Sequence, residues 1–277
     1  MLFLLSPAKS LDYQTPVAAE VQALATRPRF VPQAAALIER LRACSASDLA
    51  GLMDLSESLA RLNVARYAAW STRFSERNSK PAVLAFNGDV YDGLQAGSLG
   101  LDDLAWAQQH LAILSGLYGL LRPLDRLQPY RLEMGTRLDN AAAPDLYGYW
   151  GPQITEHLNQ RQSREARPVL VNLASQEYFK VVRRADLRAR VVTCHFQDWH
   201  QGQWKTIGFH AKRARGMMAR HAVLRRARAP EDLIAFASAG YAHDGAASGP
   251  DDLVFRRRNE PAWALTAESG AAAESGP

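Results

Sequence analysis

The chain is poor in the residues that staple or metallate small proteins. It has two cysteines in 277 residues, Cys44 and Cys194, too few and too far apart for a disulfide framework or a metal-type spacing. That usage points to a reducing compartment. Its seven histidines are scattered, and no His-Glu-x-x-His pair occurs among them. Dispersed histidines and lone cysteines make a poor iron cage, so neither a metal nor a cofactor is expected. No Asp-x-Asp-x-Asp run with a closing Glu is present, which excludes the usual calcium loop. Gly-x-Ser-x-Gly, the Walker A run and Gly-x-Gly-x-x-Gly are also absent, which removes the commonest hydrolase, nucleotide-triphosphate and dinucleotide signatures. No apolar run approaches the ~18 residues of a membrane span. The N-terminal Met1-Leu-Phe-Leu-Leu-Ser-Pro is apolar for only five residues and lacks a basic flank. It reads as a buried strand and not as a signal peptide. A soluble cytoplasmic protein is expected. A net charge of +5 is too small to establish a polyanion partner; its distribution decides more.

What is present supports a sizeable core, since 47% of residues are hydrophobic. Short apolar runs predict buried strands at Leu2–Leu5, Ala82–Phe86 and Val169–Leu173. Ala189–Phe196 and Gln203–Phe209 read as a hairpin about Gln201-Gly202, and Ile234–Phe236 and Leu253–Phe255 as late strands. Helical spacing predicts helices over Val31–Cys44, from the capping residues Ser45-Ala-Ser-Asp48, over Leu55–Trp70, from Asp102 to Leu114, over Pro144–Asn159 and over Ala211–Arg228. Strands alternating with helices indicate a mixed α/β sheet with helical insertions, here as one domain over residues 1–258. Residues 259–277 shift to Ala, Glu, Ser and Gly and are expected to be a disordered tail.

The charge is strongly asymmetric. Between Lys180 and Pro230 thirteen Lys and Arg face only Asp186 and Asp198, which favours a polyanion partner for that region. A second feature is the glycine pair in Leu114-Ser-Gly-Leu-Tyr-Gly119, followed by Arg122 and, in Gln128-Pro-Tyr-Arg-Leu-Glu-Met-Gly135, by Arg131. Such a turn can present amide N–H groups to a phosphate, or it can simply join two helices. A third is the set of polar loops that follow the three predicted strands. They carry Lys9, Asp12, Asp89, Tyr91, Ser175 and Glu177. Ligands collect at that carboxyl edge in α/β sheets, so one cleft lined by these six is expected.

Taken in order, Ser6-Pro-Ala-Lys-Ser-Leu-Asp-Tyr13, Phe86-Asn-Gly-Asp-Val-Tyr91, Leu114–Gly119, Leu121-Arg-Pro-Leu-Asp125, Gln128–Gly135, Asn172-Leu-Ala-Ser-Gln-Glu-Tyr-Phe-Lys180 and Ala211-Lys-Arg-Ala-Arg-Gly216 resemble the peroxide-stress-resistance protein YaaA family. The resemblance runs from Met1 to about Arg258. It implies a single-domain α/β fold with a positively charged cleft and a helix-hairpin-helix element. It also implies a cytoplasmic role in hydrogen-peroxide stress that limits damage from unincorporated iron, with binding to duplex and branched DNA linked to repair. On this chain the hairpin would be Gly116, Tyr118 and Gly119 with Arg122 and Arg131, its second helix either very short or starting at Pro123. The other DNA-binding cations would be Lys180, Arg183, Arg184, Lys212, Arg213, Arg215 and Arg220. Asn87, His210 and Ser10 depart from the family's usual lysine, tyrosine and threonine. DNA is therefore the expected partner, with no sequence preference, and whether a reaction is also catalysed is left open by the sequence. The alternative is an enzyme acting on a nucleotide or nucleobase around Lys9, Asp89 and Glu177, because carboxylates repel phosphates and DNA binding alone does not need them.

Overall fold

Residues 1–140 and 142–258 are described by a computed structural model; the tail expected at 259–277 lies outside the described residues. The strands are β1 (Leu2–Leu5), β2 (Ser10–Leu11), β3 (Lys80–Pro81), β4 (Phe86–Asn87), β5 (Leu111–Ser115), β6 (Gly119–Leu121), β7 (Arg126–Leu127), β8 (Val169–Asn172), β9 (Arg190–His200), β10 (Gln203–Lys205), β11 (Ala242–His243) and β12 (Asp252–Arg257). The helices are α1 (Ala19–Ala23), α2 (Val31–Arg42), α3 (Ala46–Met53), α4 (Glu57–Ala69), α5 (Ala82–Ala85), α6 (Asp89–Leu94), α7 (Leu101–His110), α8 (Leu146–Arg161), α9 (Gln176–Phe179) and α10 (Gly208–Arg225). The central sheet runs β11-β12-β9-β8-β1-β5-β6, with β10 hairpinned onto β9. Its middle, β12-β9-β8-β1-β5, is parallel. Parallel strands are covered on both faces, which is why Leu2–Leu5 is a continuous apolar run and not an alternating one.

Three expected elements differ. Ala82–Phe86 is not a strand of this sheet: Ala82–Ala85 closes one helical turn, and Phe86–Asn87 pairs antiparallel with Ser10–Leu11. The helix from Asp102 stops at His110, and Leu111–Ser115 leaves as a fully buried strand beside β1. Helical and strand patterns are indistinguishable in so short an apolar run, and burial on both faces decides it. Ile234–Phe236 is likewise no strand; it follows a 3₁₀ turn over Pro230–Leu233.

The glycine pair is also corrected. β5 and β6 are antiparallel, with Ser115 opposite Gly119, so Gly116–Gly119 is a β-hairpin turn and not a helix-hairpin-helix. It is interior. Leu117 and Tyr118 are fully buried; the Tyr118 amide donates to Ser115 Oγ at 3.0 Å. The glycines are there for close approach. A Cβ on Gly116 would meet the Leu132 carbonyl oxygen at 2.3 Å, and Gly119, at φ +66°, lies against the Trp150 ring. Gly116, Tyr118 and Gly119 therefore have no surface to offer a phosphate. Arg122 is clamped as well: its Nη2 and Nε donate to Asp125 Oδ1 at 2.9 and 3.2 Å.

The helix that carries the basic run, α10, crosses α6 at backbone contact. A Cβ on Gly216 would lie 1.8 Å from the Val90 carbonyl oxygen, and one on Gly93 would lie 2.1 Å from the Arg213 carbonyl oxygen. Arg220 donates to the carbonyls of Leu94 and Gln95 at 3.1 and 3.0 Å. It satisfies the open C-terminus of α6 and so is a structural cation.

On α8, burial first and the neighbouring Arg29 and Arg161 second hold the His157 imidazole down to about 4. Its ring meets Phe30 edge-on at 5.6 Å. The folded state refuses a proton that the unfolded chain accepts below about 6.5. This stability is present above that pH and is lost as pH falls toward 4. In urea unfolding followed by circular dichroism, the midpoint of the His157→Leu variant should gain on the parent as pH drops from 7 to 4. A constant gap would contradict a neutral buried imidazole.

Candidate functional site

The carboxyl ends of β1 and β8 open into a cleft of about 430 Å³, within the ~300–1,000 Å³ range of small-ligand sites. Its walls are the Ser6–Ser10 loop, the Asn87–Val90 turn into α6, Tyr130–Glu133, the start of α9 at Ser175–Tyr178, and Lys212 and Arg215 of α10. Separate stretches of chain are stitched together at this edge. The Ser175 amide donates to Ser6 Oγ at 2.8 Å, and Tyr91 Oη donates to the Ser6 carbonyl at 3.1 Å. Ser10 and Asn87 are ladder partners. Lys9 Nζ lies 3.0 Å from Glu133 Oε2, and Arg131 Nη2 lies 2.8 Å from Glu133 Oε1. Glu177 Oε1 accepts from the Gly135 amide at 3.1 Å.

Of the six residues expected to share one cleft, Lys9, Asp89, Ser175 and Glu177 line it. Tyr91 stands behind the wall: its hydroxyl is committed to Ser6, and burial raises its pKa well above the ordinary tyrosine value. Asp12 lies elsewhere. It accepts from the Gln14 and Thr15 amides and sits 3.4 Å from Lys80 Nζ. Hydrogen bonds from Thr15 hold its carboxyl far below the ordinary range. It closes a turn and anchors Lys80.

The basic residues divide by what they touch. Lys212 and Arg215 enter the cleft, joined by Lys9 and Arg131. Arg213 and Arg220 lie on another face of α10, beside Asp92 and Gln95. Lys180 stacks on the Tyr147 ring at 4.8 Å, and Arg183 packs against Gly151 of α8. Among the described residues, Lys180, Arg183, Arg184, Lys212, Arg213 and Arg215 make no ion pair, whereas Arg190, Arg226, Arg256 and Arg257 each pair with an aspartate. Arg215 is mostly buried, its Nε has no hydrogen-bond partner among the described residues, and desolvation lowers its pKa. A guanidinium stays charged even so.

The cleft is mixed in sign: four cations, Lys9, Arg131, Lys212 and Arg215, stand with three carboxylates, Asp89, Glu133 and Glu177. Glu133 and the buried Tyr130 and Tyr178 were not assigned to it from sequence. Tyr130 and Glu133 lie in the polar Gln128–Gly135 segment, whose charges only make sense opposite other loops, and Tyr178 lies in the Asn172–Lys180 loop beside Glu177. Among the described residues no group of three His, Cys, Asp or Glu side chains could hold a metal ion, and no helix is long and apolar enough to cross a membrane.

Comparison with known proteins gives the family. The family model described as peroxide stress protein YaaA matches residues 1–247. A UPF0246 protein of Leptothrix cholodnii is 65% identical over 257 residues, covering 93% of this chain and 98% of the relative. A UPF0246 protein of Bordetella petrii is 60% identical over 258 residues, covering 93% of this chain and 100% of the relative. One from Paracidovorax citrulli is 60% identical over 259 residues, covering 94% and 99%. The chain thus belongs to the peroxide stress protein YaaA family.

Proposed function

We propose that this protein serves the peroxide-stress response by binding DNA, duplex or branched, through backbone phosphates and without sequence preference. One observation carries the reading. Within a stretch that sets thirteen cations against two acidic residues, the exposed Lys180, Arg183, Arg184, Lys212 and Arg213 have no acidic partner among the described residues. Unpaired surface cations gain most from displacing counterions off a polyanion. Phosphate contacts of this kind position a duplex and do not read bases. The glycine hairpin plays no part. The thiols lack the lowered pKa of a reactive cysteine: burial raises the Cys44 thiol and pushes Cys194 up to about 12.

Fluorescence anisotropy with a duplex and a four-way junction across a salt series tests this. Affinity should fall steeply with salt, and the Lys212→Glu/Arg213→Glu variant should bind at least about tenfold more weakly with a shallower slope. A folded protein that binds neither DNA at low salt would refute it. A second reading, an enzyme acting on a nucleotide or nucleobase, is favoured by Asp89, Glu133 and Glu177 inside the cleft, where they oppose a bare phosphodiester backbone. Product analysis after incubation with nucleotides decides that reading.

A further inference from the structure

We infer that the cleft at the carboxyl edge of β1 and β8 is a binding site for one nucleoside monophosphate, its phosphate on Arg215 and its base against Asp89. This deepens the second reading of the site and does not depend on duplex binding. The cleft leaves part of its charge unsatisfied. Glu133 is engaged by Lys9 and Arg131, and one oxygen of Glu177 by the Gly135 amide. Three charged groups are left over: Asp89, Lys212 and Arg215 have no side-chain partner among the described residues. A mostly buried guanidinium without a counterion is costly unless a ligand supplies the negative charge. A phosphate monoester does so, with the bidentate geometry that arginine suits.

Bare phosphate does not fit the rest. Asp89 would repel it, and Asp89 needs a donor. The ligand therefore carries hydrogen-bond donors away from its phosphate. Beyond the charges, Val90, Leu132, Tyr130 and Tyr178 offer apolar and aromatic wall to a flat ring. A nucleobase with an exocyclic amino group combines the flat face with the donors. The volume admits one such nucleotide, so the ligand is a free mononucleotide or a single terminal or extruded nucleotide of a strand.

Isothermal titration calorimetry of the full chain tests this with AMP, GMP, CMP, UMP, the parent nucleosides and inorganic phosphate. At least one amino-bearing monophosphate should bind at least about tenfold more tightly than UMP, its own nucleoside and inorganic phosphate. Arg215→Met should weaken that nucleotide by about tenfold to a hundredfold, the range for a hydrogen bond to a charged group, and leave the nucleoside unchanged. Because Arg215 has no partner to orphan and its unpaired charge is costly, this variant should melt no lower than the parent. Asp89→Asn, at a half-exposed position, should narrow the preference for nucleotide over inorganic phosphate. Phosphate binding as tightly as every nucleotide, or no nucleotide binding by the folded chain, overturns the inference. Competition anisotropy separates the sources: a 5′-phosphorylated overhang that outbinds its hydroxyl counterpart and is displaced by the mononucleotide marks a strand end, and equal binding of the two marks the free nucleotide. Salt-dependent duplex binding alongside absent mononucleotide binding would defeat this inference and leave the DNA reading intact.

Discussion

Gly216→Ala should destabilise the protein by about 2 kcal/mol or more, against the sign that helix propensity alone would give. Alanine in a helix interior is favoured over glycine by about 1 kcal/mol. At position 216 the added methyl would lie 1.8 Å from the Val90 carbonyl oxygen and 2.9 Å from the Leu94 amide nitrogen. Those are backbone atoms of α6 and cannot rotate away, so the helices must separate. Overpacking costs typically about 1–3 kcal/mol and occasionally more; a clash with backbone that cannot move aside sits at the top of that range, which outweighs the propensity gain. Gly51→Ala is the control. Gly51 lies in α3 with nothing within 4 Å of its Cβ position, and its substitution should stabilise by up to about 1 kcal/mol. Denaturant midpoints of both variants check the pair. A stabilised Gly216→Ala would show that the two helices are not in backbone contact. The contact matters beyond stability, because α6 carries Asp89 and α10 carries Lys212 and Arg215. Spreading them should also weaken ligand binding in any variant that still folds.

Asp198→Ala should cost about 3–5 kcal/mol, the range for removing one partner of a buried ion pair. Asp198 is fully buried. Its Oδ1 accepts from Arg257 Nε at 2.7 Å and lies 3.3 Å from His210 Nδ1, while Oδ2 accepts from Tyr241 Oη at 2.7 Å. The Arg257 guanidinium also covers the Tyr241 ring at 4.4 Å. One carboxylate thus joins β9, β12, the residue before β11 and the first turn of α10. Alanine strands a largely buried guanidinium and a buried phenol. Thermal melts of Asp198→Ala, Arg257→Met and the double variant form the check. The double variant should recover part of the loss, since it removes the orphaned charge. A loss below about 1 kcal/mol in the single variant would mean that the cluster is solvated in solution.

How much of this was legible in the sequence depended on the range of the interaction. Local signals read well. The Ser45–Asp48 capping box is formed as its residue types indicate, Val169–Asn172 is a buried strand, and the hairpin turns at Gln201-Gly202. The basic run expected as a helix from Ala211 is one long helix, α10. Four of six cleft residues also converged, because strand ends in a parallel sheet open on one side. What was not legible is set by partners far along the chain. Leu111–Ser115 continues a helical pattern, and only its neighbour β1 makes it a strand. The two glycines that looked like a phosphate grip are instead the places where Leu132 and Trp150 come within contact. Asp12 gave no sign that its partners would be Thr15 and Lys80 and not a ligand. Arg220 and Arg215 lie on one basic helix, yet one caps α6 and the other enters the cleft; composition cannot separate them.

The place of β1 has a consequence for how the chain is made. Leu4 stands opposite Ala112 on one side and Asn172 on the other, so the middle strand of the sheet is synthesised more than a hundred residues before either neighbour. Until β5 and β8 leave the ribosome, Leu2–Leu5 is an unpaired and fully apolar edge, the kind of segment that seeds association between nascent chains. Closing loops of that length before any sheet contact forms also makes folding slow. A member of the peroxide stress protein YaaA family built this way carries an unsatisfied central strand until β8 has been translated.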